Sequence, residues 1–221
     1  MGRLQVHNTP AAGTGGVVRL EYTHLGRLDI QASNTASQYT TSAIQVDNSR
    51  VLSGAVPFLR SSQGIGGFLS ITGSPTARGY VSNLHVNGTP STAAVTYSVF
   101  LSQATMANCD LSTSNTTSPS VIEIQVNSVL SANTLRYQHT GATVIQLTTG
   151  SAMGCRIVDN QILFNNATGT AAISVTSEAT FTGGVVVGNT VANANATVPS
   201  LAAPPATSVV ANNAFIGGYS F

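Results

Sequence analysis

The stretch VDNQILF at residues 158–164 sets Asn160 between two apolar runs, and the same setting returns along most of the chain. It reappears as VSNLHV (81–86), MANCDL (106–111), SANTLRY (131–137), VGNTVA (187–192) and ANNAFI (211–216), which place Asn83, Asn108, Asn133, Asn189 and Asn213 alike. The six asparagines follow one another at steps of 25, 25, 27, 29 and 24 residues. Recurrence at such a period marks a solenoid, in which each repeat is one coil that buries its apolar face only against stacked neighbours. Gly26 and Gly54 hold the corresponding place in two earlier coils and extend the series to eight. Glycine and asparagine share a qualification for a sharp turn between strands, since both tolerate the left-handed backbone region. An asparagine amide can in addition bond its counterpart one coil away at the strand spacing of about 4.8 Å, giving a buried ladder.

Ahead of each turn lies a short apolar strand: VVRL (17–20), AIQV (43–46), FLSI (68–71), SVFL (98–101), VIEI (121–124), VIQL (144–147) and AISV (172–175), with a truncated eighth copy at 208–210. Their period-two alternation directs Val18 and Leu20, Ile44 and Val46, Leu69 and Ile71, Val99 and Leu101, Ile122 and Ile124, Ile145 and Leu147, and Ile173 and Val175 inward. Two residues before each asparagine runs a second apolar column of Val81, Met106, Ser131, Val158, Val187 and Ala211, and a third strand follows the turn. Each coil thus carries about three strands, while helical periodicity is lacking throughout. Loops are expected near 87–94, 113–120 and 193–207, the places where a solenoid usually binds.

Of the 221 residues only 7% are charged while 42% are hydrophobic, so Ser, Thr, Asn, Gln and Gly must build the surface. A net charge of +1 without a Lys/Arg cluster gives no electrostatic footprint for nucleic acid. No stretch approaches the roughly 20 apolar residues that cross a bilayer, and no signal-peptide core follows Met1, so neither a membrane nor secretion by that route is expected. Cys109 and Cys155 fall at different points of the repeat, and read as small buried hydrophobes rather than as a disulfide or metal site. No cofactor or metal is expected.

The ϕ-x-N-x-ϕ turns together with the AIQV, VIEI and VIQL strands resemble the right-handed parallel β-helix of the pectate-lyase type, above all its form in bacteriophage tailspikes, fibres and other virion surface proteins. The resemblance spans residues 16–221. It implies an all-β, single-domain right-handed parallel β-helix of about eight coils over residues 17–221, behind an N-terminal arm over 1–16. Enzymes of this fold generally open with an amphipathic capping helix, whereas here the repeat begins directly after a Gly-rich arm. Uncovered strand edges call for a partner, and the resemblance implies a homotrimer in contact with other virion proteins.

Fold does not assign activity. Cleavage of a glycosidic bond takes two carboxylates about 5–10 Å apart, and seven acidic residues are available to supply them. Projected outward, Arg19, Gln45, Ser70, Phe100, Glu123, Gln146 and Ser174 form one column. Glu21 and Asp47 open the next and stack on adjacent coils beside Arg19, which makes them the catalytic candidates, although an Arg19–Glu21 ion pair accounts for the same residues. His85 stacks over Asp110, a base-and-orienter pair in form, yet without a nucleophile beside it it reads as a cross-coil hydrogen bond. The sequence therefore points first to a structural protein of a virion surface, as capsid decoration, knob or tail fibre. A domain that binds or degrades host-surface polysaccharide comes second, on Glu21, Asp47 and the aromatics Tyr39, Tyr97 and Phe100. Ice binding comes last, with only Thr148 and Thr176 aligned in the required column.

Overall fold

The computed structural model describes residues 2–8, 18–32, 44–57, 69–88, 99–113, 120–138, 143–147, 153–165, 173–175, 183–193 and 208–217. Among these, every helix or strand element is a strand. Val18–Glu21, Ile44–Asp47, Leu69–Thr72, Val99–Ser102, Ser120–Ile124, Thr143–Leu147 and Ile173–Val175 stack in parallel as a seven-stranded first sheet. Its register puts Val18, Ile44, Leu69, Val99, Ile122, Ile145 and Ile173 in one column, and Leu20, Val46, Ile71, Leu101, Ile124, Leu147 and Val175 in another. From Leu69 to Leu147 the members of both columns are sealed from solvent. Removing each such aliphatic side chain from water contributes about 1.5–3 kcal/mol, and a slip of one residue would turn a whole strand's set outward. The alternation read from the sequence thus fixes this sheet.

The second sheet runs through Arg50–Val51, Gly79–Ser82, Ala104–Ala107, Val129–Ser131, Arg156–Val158, Val185–Val187 and Val209–Ala211. The third runs through Gly54–Pro57, Leu84–Gly88, Asp110–Thr113, Thr134–Gln138, Gln161–Asn165, Thr190–Asn193 and Ala214–Gly217. One long strand, His24–Ala32, passes without a break from the second sheet into the third and joins them as a single 16-stranded sheet. Within the N-terminal arm, Gly2–Asn8 is itself a strand, paired in parallel on His24–Ala32 with Leu4 opposite Leu28. The protein is therefore an all-β parallel solenoid, with the core enclosed by its three sheet faces.

Among the described residues the expected eight coils are not all complete. Seven turns contribute to the first sheet, and Val209–Ala211 with Ala214–Gly217 form part of an eighth. Residues 208–210, expected to be a truncated first-sheet strand, instead fall in the second sheet, where Val209–Ala211 pairs with Val185–Val187. Of the expected loops, 87–94 and 113–120 keep only their described ends, Asn87 and Gly88, and Thr113 and Ser120. The remainder of both, and of 193–207 beyond Asn193, lies outside the described residues.

Two corners separate the sheets, and each pairs a left-handed residue with an inward one. Between the first and second sheets the left-handed residues are Tyr22, Asn48, Gln103, Asn127, Gly154 and Gly183; between the second and third they are Asn83, Asn108, Ala132, Asp159, Gly188 and Asn212. Immediately after the latter come Leu84, Cys109, Asn133, Asn160, Asn189 and Asn213, all directed toward the core. The six asparagines of the motif therefore belong to two columns. Asn83 and Asn108 occupy the left-handed slot and are exposed, while Asn133, Asn160, Asn189 and Asn213 occupy the inward slot. The step from Asn108 to Asn133 hides a one-residue change of register, because asparagine suits the first slot through its backbone and the second through its amide. The same slip divides the expected apolar column: Val81 and Met106 align inward with Leu130, Ile157, Val186 and Val210, whereas Ser131, Val158, Val187 and Ala211 follow Ala107. Earlier in the chain Gly54 does hold the inward slot opposite Leu84, but the first turn fills it with Leu28 in place of Gly26.

Candidate functional site

The ladder is a structural device of four rungs. The Oδ1 of Asn160 accepts both the backbone N–H and the Nδ2 of Asn133 at 3.0 Å, and Asn189 serves Asn160 the same way at 3.0 and 2.9 Å. Asn213 repeats the arrangement beneath Asn189, and the upper end is Cys109, whose N–H donates to Asn133 Oδ1 at 2.9 Å. Each Nδ2 also donates to a carbonyl of the preceding turn: Asn133 to Met106, Asn160 to Leu130, Asn189 to Ile157 and Asn213 to Val186. With donors and acceptors consumed internally, the amides of Asn133, Asn160 and Asn189 have nothing left for a ligand.

Glu21 and Asp47 stand opposite each other in the first sheet, as expected from the strand alignment. Glu21 is exposed and takes Arg19 Nη2 at 3.5 Å, a solvated ion pair worth about 0–1 kcal/mol. The side chain of Asp47 lies outside the described set, so the structure gives the register of this pair and not its geometry. Tyr39 and Tyr97, and Thr148 and Thr176, also lie outside the described residues, while Phe100 faces outward between Ser70 and Glu123 in half-buried surroundings.

His85 is likewise in register with Asp110, their Nδ1 and Oδ2 being 3.5 Å apart. Sequence reading missed the third member. Arg136, two residues past Thr134 on the next turn, places Nη1 2.6 Å from Asp110 Oδ1, so the carboxylate is held between a histidine above and a guanidinium diagonally below. The signal was available, since strand residues two apart share a face and a long side chain reaches a diagonal neighbour. Such a cross-turn bridge ties adjacent strands together.

A second feature was not legible in the sequence: a surface groove of about 330 Å³ at the first corner, spanning the third to sixth turns. Its rim in the third turn is a tight turn in which Ser74 N donates to Ala77 O at 3.0 Å and Ser74 Oγ accepts from Ala77 N at 3.1 Å, with Pro75 at the second position that its fixed φ favours. From there Arg78 reaches across a whole turn to donate from Nη2 to the backbone carbonyl of Asn127. The corners of Gln103, Asn127 and Gly154 form the bed, all at positive φ. At Gly154, with φ +68°, an added Cβ would stand 2.4 Å from Asn127 Oδ1, so the Asn127 side chain would have to shift.

Cys109 and Cys155 are free and buried, each in an inward corner slot, as their reading as small hydrophobes requires. Burial pushes both thiols from 9.0 up to about 11, against the lowering influence of neighbouring backbone groups. Among the described residues no three His, Cys, Asp or Glu side chains gather where they could hold a metal ion.

The class that this geometry defines is the all-β parallel solenoid with an internal asparagine ladder. The chain matches no protein-family model, no curated protein and no solved structure.

Proposed function

We propose that the chain is a structural component of a virion surface, a capsid decoration, knob or tail-fibre element built on the solenoid. It works as a homotrimer docked onto other virion proteins and contacts the glycans of a host surface. The observation that supports this reading best is the set of exposed apolar side chains on the last described turn. There Val209 is 56%, Phe215 49% and Ile216 48% exposed, on a protein of which only 7% of the residues are charged. Apolar groups gathered at one place on such a surface suit a protein partner, and weak charge lets identical chains approach without repulsion. Multi-angle light scattering of the purified chain should give three times the 22.5 kDa chain mass, and a monomer at micromolar concentration would overturn the trimer. An antibody against the chain should label the exterior of intact particles, and particles that stay unlabelled would overturn the virion assignment.

The registered stacking of Glu21 on Asp47 favours one further reading, cleavage of a bound polysaccharide. Incubation with host-surface polysaccharide would then release reducing ends or unsaturated sugars, and Glu21→Gln would abolish the release. Absence of any new ends with the wild-type chain would remove this reading.

A further inference from the structure

The first-corner groove concentrates positive charge in a protein that is otherwise almost neutral. Among the described residues that line it, two carry guanidiniums, Arg78 and Arg156, and none carries a carboxylate. Glu21 is engaged elsewhere with Arg19, Asp110 with His85 and Arg136, and Glu123 with Gln125 Nε2. Arg78 spends one donor on the neutral carbonyl of Asn127, and among the described residues no carboxylate pairs with it. Arg156 projects from the sixth turn in register with Val129, exposed and with no ion-pair partner among the described residues. Asn127 and Val129 belong to the same corner, so the tethered end of Arg78 lies about one strand spacing, ~4.8 Å, from the turn that carries Arg156.

We propose that this groove binds a small ligand through an oxyanion, a carboxylate, sulfate or phosphate, gripped between Arg78 and Arg156. The inference goes beyond the structural role proposed above and does not depend on it. A guanidinium presents donors in a planar fork that fits two oxygens of such an anion, and a charge-assisted bond is roughly twice as strong as a neutral one. Pro75 and Val129 supply the apolar part of its lining. Ser74 and Gln103 offer neutral hydrogen-bonding groups beside it, the complement of hydroxyls rather than of a second charge. A volume near the lower limit of small-molecule sites, about 300 Å³, admits a ligand the size of one sugar unit. A hydroxylated acid such as a hexuronate and a free inorganic anion share the recognised group, and titration separates them.

The purified full chain is titrated calorimetrically at constant low ionic strength with sodium sulfate, sodium phosphate, glucuronate and glucose. Saturable one-to-one binding of the anions and none of glucose is expected. Glucuronate binding at least about tenfold tighter than the inorganic ions identifies a hydroxylated acid as the ligand, and equal binding identifies the free ion. Arg156→Gln, an exposed outward position, should weaken binding about tenfold or more, and Arg78→Gln similarly. Arg136→Gln, on the third sheet, should leave binding unchanged, and melting temperatures establish that each variant is folded. Should Arg78→Gln fail to fold, Arg156→Gln decides. No saturable anion binding up to about 10 mM, or Arg156→Gln binding as wild type, would overturn the proposal.

Discussion

Replacing Asn160 by Leu tests the two-column account of the asparagines directly. Asn160 is almost completely buried, and its amide bonds to Asn133, Asn189, Leu130 and Val158. Its Oδ1 accepts Asn133 N–H and Asn133 Nδ2 at 3.0 Å, and its Nδ2 donates to Leu130 O at 2.9 Å. A leucine of similar size takes the partner from Asn133 N–H and Leu130 O, while Asn133 Nδ2 keeps its bond to Met106 O. Each buried polar group left unpaired costs about 1–3 kcal/mol, so even the lower figure gives a loss of about 2 kcal/mol. For a chain of this length that corresponds to a fall in Tm of roughly 4–8 °C. Asn108→Leu is the control. Asn108 shares the turn motif but sits in the left-handed slot at φ 53°, exposed, in the column where Ala132 is accommodated at φ 54°. Its replacement loses only asparagine's tolerance of that region, about 1 kcal/mol. Thermal unfolding followed by circular dichroism reads both variants. Equal losses, or a larger loss for Asn108→Leu, would mean that the ladder is not where the register puts it.

The remaining predictions address the corners, the thiols and the surface bridge. Gly79→Ala should destabilise by more than 2 kcal/mol, since its Cβ would meet the Thr72 carbonyl at 2.6 Å, a backbone atom that cannot step aside. Gly183→Ala, with nothing within 4 Å but φ +69°, should lose only about 1 kcal/mol of backbone preference; urea midpoints that failed to separate the two would contradict this steric account. Both thiols titrate near 9.0 when unfolded and about 11 when folded, so the native state retains protons that the unfolded chain has lost between those values. Their contribution is complete below pH 9 and is lost as pH rises toward 11, which urea midpoints measured from pH 8 to 11 should show as a decline. At pH 8 an alkylating reagent should leave Cys109 and Cys155 unmodified until the chain is unfolded. Asp110→Asn should change stability by no more than about 1 kcal/mol, because His85, Asp110 and Arg136 are all partly exposed; a loss surviving in 1 M salt would show the bridge to be stronger than a solvated one.

What the sequence determined by itself is the part of the fold written in local periodicity. Alternation in VIEI, VIQL and their counterparts requires one buried face, and repetition at steps of 24 to 29 residues requires that face to be buried by the next copy, so the first sheet and its register follow without tertiary information. The Glu21–Asp47 and His85–Asp110 alignments were legible for the same reason, each pair lying at a constant offset from a strand or turn. Only the stacked structure decided which asparagines form the ladder. Asn108 and Asn133 look alike in sequence, yet one turns outward at positive φ while the other turns inward, since a corner has two adjacent slots that asparagine satisfies by different physics. Arg136 reaching Asp110, and Arg78 crossing a full turn to Asn127, depend on how long side chains lie across neighbouring turns. Strand periodicity ranks faces and not reach, so the charged groove between Arg78 and Arg156 exists only once the third to sixth turns are stacked.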